Sequence, residues 1–308
     1  RIDLIDSENR WARKLPTAIM AVSIAALLVI IKTIAYLHTG AMSLLTSLTD
    51  SVIDSTVSIM ALSSILYAQR PADEDHRWGH GKIEAVSALV QASMMIGGAA
   101  FLIFTAVERF DDPKPIMDHW VGIAVMLASI FLSFVLVYWQ RKTLDHFESL
   151  AIEADHLHYS TDVVINTGTL VILFATLKGA PLWIDSVFAV LAACLLAYLA
   201  WSILERSLHT LLDRELPEYE RDAIIERIES HHLVLGWHDL RTRRHGDFHD
   251  ISFDIEVDAS LSLWDAHEVT KDIERELIQL YDKCDVMIHV DPQGFTEVER
   301  HRVKGIHI

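Results

Sequence analysis

Two pairs of ionisable side chains lie in stretches of the sequence that are otherwise apolar. Asp50 and Asp54 are four residues apart, and so are His158 and Asp162. This spacing places each pair on one face of a helix. A single ionisable residue inside a membrane indicates an ion pathway, a proton relay or a polar contact between helices. Two matched pairs favour a metal site, because together they supply four nitrogen and oxygen ligands.

The ligand types narrow the choice of metal. One imidazole and three carboxylates suit tetrahedral Zn²⁺. Ca²⁺ would need about six to eight oxygen ligands, and Mg²⁺ would keep several of its waters. Mn²⁺, Fe²⁺, Co²⁺ and Cd²⁺ stay open, because ligand type seldom separates neighbouring transition metals. The same side chains bind protons, so metal binding must displace protons, and an exchange of metal for H⁺ follows.

A second cluster lies in a charged segment between two apolar runs, where Asp73, His76 and His80 have the spacing of metal ligands. Three ligands would leave coordination positions open and give a weak or exchangeable site. The alternative interpretation is a solvated loop, in which such residues are ordinary.

A third cluster occurs in the last third of the chain. The spacing of His289 and Asp291 puts both side chains on one face of a strand, where a carboxylate could bridge two metal ions about 3.5 to 4 Å apart. Further candidates, which the sequence alone does not bring together, are His238, Asp254 and His267. The competing interpretation is that these histidines are surface residues. Other histidines of this region, which we rank lower, are His231, His232, His245 and His249.

The apolar residues that must position the first site are concentrated in the first two-thirds of the chain. The 308 residues are 51% hydrophobic and 22% charged, so the apolar ones must be segregated. A spanning helix needs about 20 mostly apolar residues. Six such runs are predicted, at residues 16–37, 41–68, 83–108, 119–140, 148–177 and 182–205. The two ionisable pairs then lie on the second and fifth spans, near the midplane of a hydrocarbon core roughly 30 Å thick.

After residue 213 the periodicity becomes that of a soluble domain with the order helix, strand, strand, helix, strand. The predicted fold class is therefore an all-α membrane domain of six transmembrane helices (1–212) and a small cytoplasmic α+β domain (αββαβ, 213–292). A C-terminal tail without a clear element follows (293–308), and it includes His301 and His307. Lys and Arg are concentrated in the loops on the side of the two termini, which places both termini in the cytoplasm.

Charge and cysteine content exclude other classes of protein. The formal net charge of −17 argues against nucleic acid as a partner, since phosphate binding needs a basic face. Two cysteines indicate no disulfide framework and favour a cytosolic location for the soluble domain. The first apolar run is long enough to span a bilayer, so we expect it to remain as a transmembrane helix rather than a cleaved signal.

These motifs together resemble the cation diffusion facilitator family and are most similar to its bacterial YiiP-like zinc and ferrous-iron efflux subfamily. The resemblance covers nearly the whole chain. It is carried by Asp50-x-x-x-Asp54, His158-x-x-x-Asp162, residues 76–84, residues 213–217 and His289-Val290-Asp291-Pro292. It implies a homodimeric metal/proton antiporter of the bacterial inner membrane that works by alternating access.

The resemblance also implies roles for individual residues. The implied transport site is Asp50, Asp54, His158 and Asp162, and the implied loop site is Asp73, His76 and His80. The implied binuclear Zn²⁺ site of the cytoplasmic domain is His238, His267, His289 and Asp291. Family members often carry His at the position of Asp254. Zinc-selective relatives can carry His as the first transport ligand, so Asp50 suggests broader selection that admits Cd²⁺ or Fe²⁺.

Two other classes of protein share some of these features. An intramembrane metallopeptidase needs His-Glu-x-x-His on a helix, whereas His267-Glu268 continues to Lys271 in the soluble part. We therefore do not expect an enzyme. A membrane metal-sensing receptor could share the binding sites without moving ions, but it would need an output domain, and the sequence indicates only a small metal-binding fold.

Overall fold

The computed structural model describes residues 2–40, 42–111, 120–181, 183–246, 248–281 and 283–294. The predicted tail, with His301 and His307, lies outside these residues from position 295 onward. The chain divides into two compact units between Leu208 and His209.

The described part of the first unit contains six long helices. They are α1 (Ile2–Thr39), α2 (Met42–Ala68), α3 (Ile83–Asp111), α4 (Trp120–Leu144), α5 (Leu150–Leu177) and α6 (Trp183–Leu211). Helix α1 begins well before the predicted span, because the polar segment ahead of Pro16 is also helical. The apolar part of α1, Lys14–Thr39, matches the predicted span more closely.

Five of these helices are long and apolar enough to cross a membrane, namely α1, α2, α3, α4 and α6. Helix α5 has a similar length, but Glu153, Asp155 and Asp162 make it more polar. Its position explains how it tolerates these residues. Buried side chains of α5 belong to three separate apolar clusters, which also contain residues of α1, α2, α3, α4 and α6. At these positions α5 is thus packed among the other helices, while Val164, Val171 and Phe174 of the same helix are exposed.

Small side chains permit this packing. Ala151 and Ala154 of α5 are fully buried, and Ala154 packs with Ala88 and Ala92 of α3. Small residues let helix backbones approach closely inside a membrane. Helix α5 begins at Ser149, whose hydroxyl caps the helix by accepting a hydrogen bond from the Ile152 amide. Its apolar contacts and its cap together fix the helix that carries His158.

The second unit has the predicted order of elements. Helix α7 (Glu218–Ser230) precedes β1 (Gly236–His245) and β2 (Phe248–Val257), and α8 (Leu263–Leu280) precedes β3 (Cys284–Pro292). The sheet order is β1-β2-β3, with β1 antiparallel and β3 parallel to β2. Alternate residues of β2 are buried, since one face of the sheet packs against both helices in a single core. The prediction of a small αββαβ domain is confirmed.

Candidate metal centres

The first centre lies between α2 and α5. His158 Nε2 is 2.9 Å from Asp54 Oδ1 and 3.6 Å from Asp162 Oδ2, and the three side chains are partly buried. One ligand atom from each residue lies within 4.8 Å of the other two. A metal ion could therefore contact one nitrogen and two oxygen atoms after small movements of these side chains.

Asp50, the fourth residue predicted for this centre, lies one turn before Asp54 on α2. It is exposed and stands outside the group formed by Asp54, His158 and Asp162. It nevertheless interacts electrostatically with Asp54. The structure thus brings together three of the four predicted ligands and places the fourth at the edge of the group.

A buried polar network adjoins this centre, and sequence reasoning gave it no role. Asp155 Oδ1 accepts a hydrogen bond from Ser58 Oγ (3.0 Å), and Asp155 Oδ2 accepts one from Gln140 Nε2 (2.6 Å). Ser58 Oγ is also 3.1 Å from the Tyr159 hydroxyl. These bonds join α2, α4 and α5 one turn away from His158. The signal available in the sequence was a third carboxylate on α5, three residues before His158.

The second centre is the predicted loop cluster. His80 Nε2 lies 3.4 Å from Asp73 Oδ2, and His76 Nδ1 lies 3.1 Å from Asp73 Oδ1. His80 is buried, while Asp73 and His76 are exposed. The ligand atoms of all three residues lie within 4.8 Å of one another.

Backbone groups orient two of these loop residues. His80 Nδ1 lies 3.3 Å from the Arg70 carbonyl oxygen, which can only accept a hydrogen bond. This contact favours the tautomer that leaves Nε2 free to bind a metal. The His76 amide donates to Asp73 Oδ1 and holds the pKa of Asp73 below its ordinary value. Asp73 therefore stays ionised to lower pH than a free aspartate.

The third centre lies on the sheet of the second unit. His238 of β1 stands opposite Asp254 of β2, and its Nε2 is 3.7 Å from Asp254 Oδ2 and 3.7 Å from Asp291 Oδ2. The three residues form a group with ligand atoms within 4.8 Å of one another. The structure thus brings Asp254 together with His238 and Asp291.

The other two predicted ligands of this centre are placed differently. His289 Nε2 lies 3.3 Å from Asp291 Oδ1, but the His289 side chain is 67% exposed. His267 is exposed on α8 and lies outside the group. Sequence reasoning missed Glu256, whose Oε1 is 4.0 Å from His238 Nδ1. Its position two residues after Asp254, on the same face of β2, was the available signal.

The four lower-ranked histidines lie outside the groups that could hold a metal among the described residues. His245 Nδ1 is 3.3 Å from Asp250, His249 stacks on Tyr281, and His231 stacks on His232. These contacts are consistent with structural roles.

The fold and the three centres define a class of protein, a multi-pass membrane protein with metal-ligand groups in its membrane unit and in an appended soluble unit. Two family models match the chain. The cation efflux transmembrane domain matches residues 18–212, and the cytoplasmic domain of cation efflux proteins, ZT_dimer, matches residues 216–293. The chain therefore belongs to the cation diffusion facilitator family, and the YiiP-like resemblance found in the sequence is confirmed.

Individual relatives agree with this assignment. The cation-efflux pump FieF of Yersinia pestis (strain Pestoides F) is 37% identical over 292 residues, which are 95% of this chain and 96% of the relative. FieF of Yersinia pseudotuberculosis serotype O:3 (strain YPIII) gives the same values. A solved metal-bound C-terminal domain of the CzcD transporter from Thermotoga maritima is 38% identical. It covers 27% of this chain and 100% of its own, with a TM-score of 0.25.

Membership of the family establishes the class of function. The chain is a cation efflux transporter with several membrane helices, and its relatives are transporters rather than enzymes. The match to the cytoplasmic domain model indicates dimerisation. The function of the family is therefore transport rather than metal sensing, and the membrane unit of this chain carries a group of ionisable residues that could bind a metal.

Proposed function

We propose that this chain exports Zn²⁺ in exchange for protons by alternating access, and that Asp50, Asp54, His158 and Asp162 bind the transported ion. The observation that carries the proposal is the 2.9 Å contact between His158 Nε2 and Asp54 Oδ1. This contact joins α2 to α5 through an imidazole and a carboxylate, and both groups bind first-row transition metals. A change in the relative position of these two helices would alter the site, which is what alternating access requires.

The ligand types support Zn²⁺ as the main cargo and keep Fe²⁺, Cd²⁺ and Mn²⁺ as further cargo. Imidazole and carboxylate ligands accept all of these divalent ions. Asp50 favours a selection that extends to Fe²⁺ and Mn²⁺, since an oxygen ligand at this position suits these harder ions better than a second imidazole would. The electrostatic link between Asp50 and Asp54 supports Asp50 as the ligand that completes the site when metal enters.

Proton exchange follows from the contacts of His158. Its Nε2 lies 2.9 Å from Asp54 Oδ1 and 3.6 Å from Asp162 Oδ2, where it can carry either a proton or a metal ion. A metal ion must take the place of that proton, because the same nitrogen is the ligand atom. Metal movement in one direction is thereby linked to proton movement in the other.

Zn²⁺ also fits the cytoplasmic domain as a resident ion. Asp291 Oδ2 is buried and has no hydrogen-bond partner among the described residues, although His238 Nε2 is 3.7 Å away. A buried carboxylate oxygen without a donor is unfavourable, and a cation would satisfy it. We propose that His238, Asp254 and Asp291 hold this ion. His289, whose Nε2 lies 3.3 Å from Asp291 Oδ1, and His267 remain proposed ligands of a second ion in a binuclear site. The bound ion would neutralise carboxylates and hold the sheet residues in one arrangement.

The loop centre is proposed as a weaker, exchangeable site. Asp73 and His76 are exposed, and three ligands leave coordination positions to water. Asp73→Ala should remove binding there, whereas the membrane site should keep its affinity. Equal loss at both sites would contradict the proposal that they are separate.

We further propose that the protein is a homodimer in the lipid bilayer of a bacterial inner membrane, with both termini in the cytoplasm. The excess of Lys and Arg in the loops on the side of the termini supports this orientation. Labelling of single cysteines placed in the loops, from either side of sealed vesicles, tests it.

Zinc flux into proteoliposomes with an imposed pH gradient tests the central proposal. We expect gradient-dependent flux for the parent and none for Asp54→Ala. Ser63→Ala is the matched control on the same helix, because Ser63 is exposed and its hydroxyl donates a hydrogen bond to the Ile59 carbonyl oxygen one turn away. Zinc binding without flux in the parent would favour a metal-sensing receptor.

A further inference from the structure

A lysine lies inside the membrane unit beside the proposed transport site. Lys32 is in the spanning part of α1, and only 8% of its surface is exposed. Its Nζ donates hydrogen bonds to Ser51 Oγ (2.6 Å) and to the Ser47 carbonyl oxygen (3.1 Å), both on α2. These acceptors lie on either side of Asp50 in the sequence. Lys32 therefore connects α1 to the turn of α2 that precedes Asp54.

The charge of Lys32 acts on the carboxylates of the site. Lys32 interacts electrostatically with Asp54, Asp162 and Asp50. A buried ammonium in a membrane is expensive unless opposite charges compensate it. The three carboxylates provide that compensation, and in turn the ammonium places a positive charge beside the turn of α2 that carries Asp50.

The charges of the three carboxylates, the divalent ion and Lys32 suggest a role for Lys32. Three carboxylates hold one more negative charge than a divalent ion can neutralise. When Asp50, Asp54 and Asp162 are ionised, a divalent ion and the Lys32 ammonium together balance their charge, so this group of residues with its ion carries no net charge. Neutrality matters inside a bilayer, where an unbalanced charge is strongly disfavoured.

We propose that Lys32 sets the affinity and the mobility of the transported ion. Its ammonium repels the bound divalent ion, which keeps binding weak enough for release, and it keeps the loaded site neutral while the ion crosses. Lys32 is thus a positioning residue that acts through the site carboxylates and does not itself bind metal. The inference rests on the proposed function of the Asp54, His158 and Asp162 group.

Kinetics of zinc flux in proteoliposomes test this role. Lys32→Met should lower KM and also lower kcat, because the ion binds more tightly and leaves more slowly. We expect each to fall by about tenfold or more, as the loss of one charge close to a divalent ion in a poorly screened site implies. Lys32→Arg keeps the charge and should stay near the parent in both constants.

An uncharged hydrogen-bond donor separates electrostatics from packing. Lys32→Gln can still donate a hydrogen bond toward Ser51 or the Ser47 carbonyl oxygen, but it carries no charge. We expect Lys32→Gln to lower KM and kcat as Lys32→Met does. If Lys32 only held α1 against α2, Lys32→Met would raise KM and Lys32→Gln would stay nearer the parent.

Direct binding provides a second measurement. Zinc titration of purified protein in which Asp73→Ala and Asp291→Ala silence the other two centres should give a lower Kd for Lys32→Met than for Lys32. Lys32→Gln carries the same expectation and serves if Lys32→Met does not fold. An unchanged or higher Kd in the neutral variants overturns the proposal for Lys32. If Asp54→Ala also binds zinc normally in this background, the proposed transport site itself is wrong.

Discussion

His158 of α5 and Asp54 of α2 meet with 2.9 Å between Nε2 and Oδ1, although 104 positions separate them in the sequence. The contact occurs between two partly buried side chains in the membrane unit. The two side chains reach each other because α2 and α5 are in contact, with Ala61 and Ile65 of α2 in one apolar cluster with Ala151 and Ile152 of α5. The contact therefore places residues of both helices in one site.

The first prediction is that Asp54→Ala or His158→Ala abolishes zinc transport while the protein remains folded. Each variant removes a proposed ligand and also removes a buried polar group, so loss of binding need not lower stability. We expect flux to fall by more than about a hundredfold, beyond the effect typical of residues that only support ligands. Flux and thermal unfolding in detergent are measured together, with Ser63→Ala as the control. Parent-like flux in either variant would disprove the assignment.

The second prediction concerns pH on the side from which metal is loaded. His158 must lose a proton to bind metal, so acid should weaken zinc binding at the membrane site. We expect Kd to rise steadily from about pH 7.5 to about pH 5.5. Titrations are made in protein carrying Asp73→Ala and Asp291→Ala, so that the other centres do not contribute. A Kd that stays constant over this range would rule out competition between proton and metal.

The sequence predicted the fold, and it marked the ionisable residues that the structure brings together, because each has a local signature. Apolar runs indicate spans, four-residue spacing aligns Asp50 with Asp54, and alternation indicates strands such as β2. Contacts between distant elements have no such signature. Whether Asp50 or only Asp54 reaches His158 depends on how α2 rotates against α5, and that rotation follows from packing.

The residues that sequence reasoning missed share one feature. Lys32, Ser58 and Gln140 are polar residues in apolar helices, and their residue types alone do not mark them as part of a site. Their meaning comes from partners on other helices, such as Asp155 for Ser58 and Gln140. The spacing of residues also did not show which candidates of the cytoplasmic domain meet. The strand register places Asp254 beside His238, whereas His267 lies on an exposed face of α8.

The third prediction is that Asp155 stabilises the membrane unit. Asp155→Ala leaves Ser58 Oγ and Gln140 Nε2 without their common acceptor in a buried position, whereas Asp155→Asn keeps an acceptor oxygen. We expect Asp155→Ala to lower stability by about 1 to 3 kcal/mol, the usual effect of an unsatisfied buried polar group. Asp155→Asn should lower it less. Thermal unfolding in detergent measures the difference, and equal loss in both variants would show that hydrogen bonding at Asp155 is unimportant.

The fourth prediction concerns the stability of the cytoplasmic domain in acid. Burial alone would raise the pKa of Asp250, but hydrogen bonds from His245 and Arg243 more than offset it and hold the pKa below its ordinary value. A carboxyl with a depressed pKa in the folded state stabilises the fold above its unfolded pKa of about 3.9. That contribution is lost as the pH falls through the folded pKa.

Denaturant unfolding of the isolated segment 213–308 between about pH 5 and pH 2 measures this effect. The segment has a hydrophobic core of its own, so we expect it to fold alone. Below about pH 4, Asp250→Asn should lose stability less steeply than the parent. Glu226→Gln, at an exposed position of α7, is the control and should follow the parent. Parallel curves for all three proteins would contradict the role given to Asp250.

The fifth prediction is that Zn²⁺ strengthens dimerisation of the cytoplasmic domain. Helix α7 carries several acidic residues that would repel a second copy at low salt, namely Glu218, Glu220, Asp222, Glu226 and Glu229. Arg244 already pairs with Glu220, so part of this repulsion is relieved within one chain. A bound cation at His238, Asp254 and Asp291 would reduce the remaining negative charge and fix the sheet face, which links metal binding to the paired state.

Sedimentation of segment 213–308 with and without Zn²⁺ measures this linkage. We expect zinc to lower the dimer dissociation constant by about tenfold or more, as ligand binding to the paired state alone implies. His238→Ala should abolish the response, because His238 supplies the imidazole of the group, and His289→Ala should reduce it, because His289 lies 3.3 Å from Asp291. His232→Ala, at an exposed histidine outside the group, should respond like the parent. A parent constant that ignores zinc, or a His238→Ala constant that responds fully, would refute the cytoplasmic site and leave the membrane site standing.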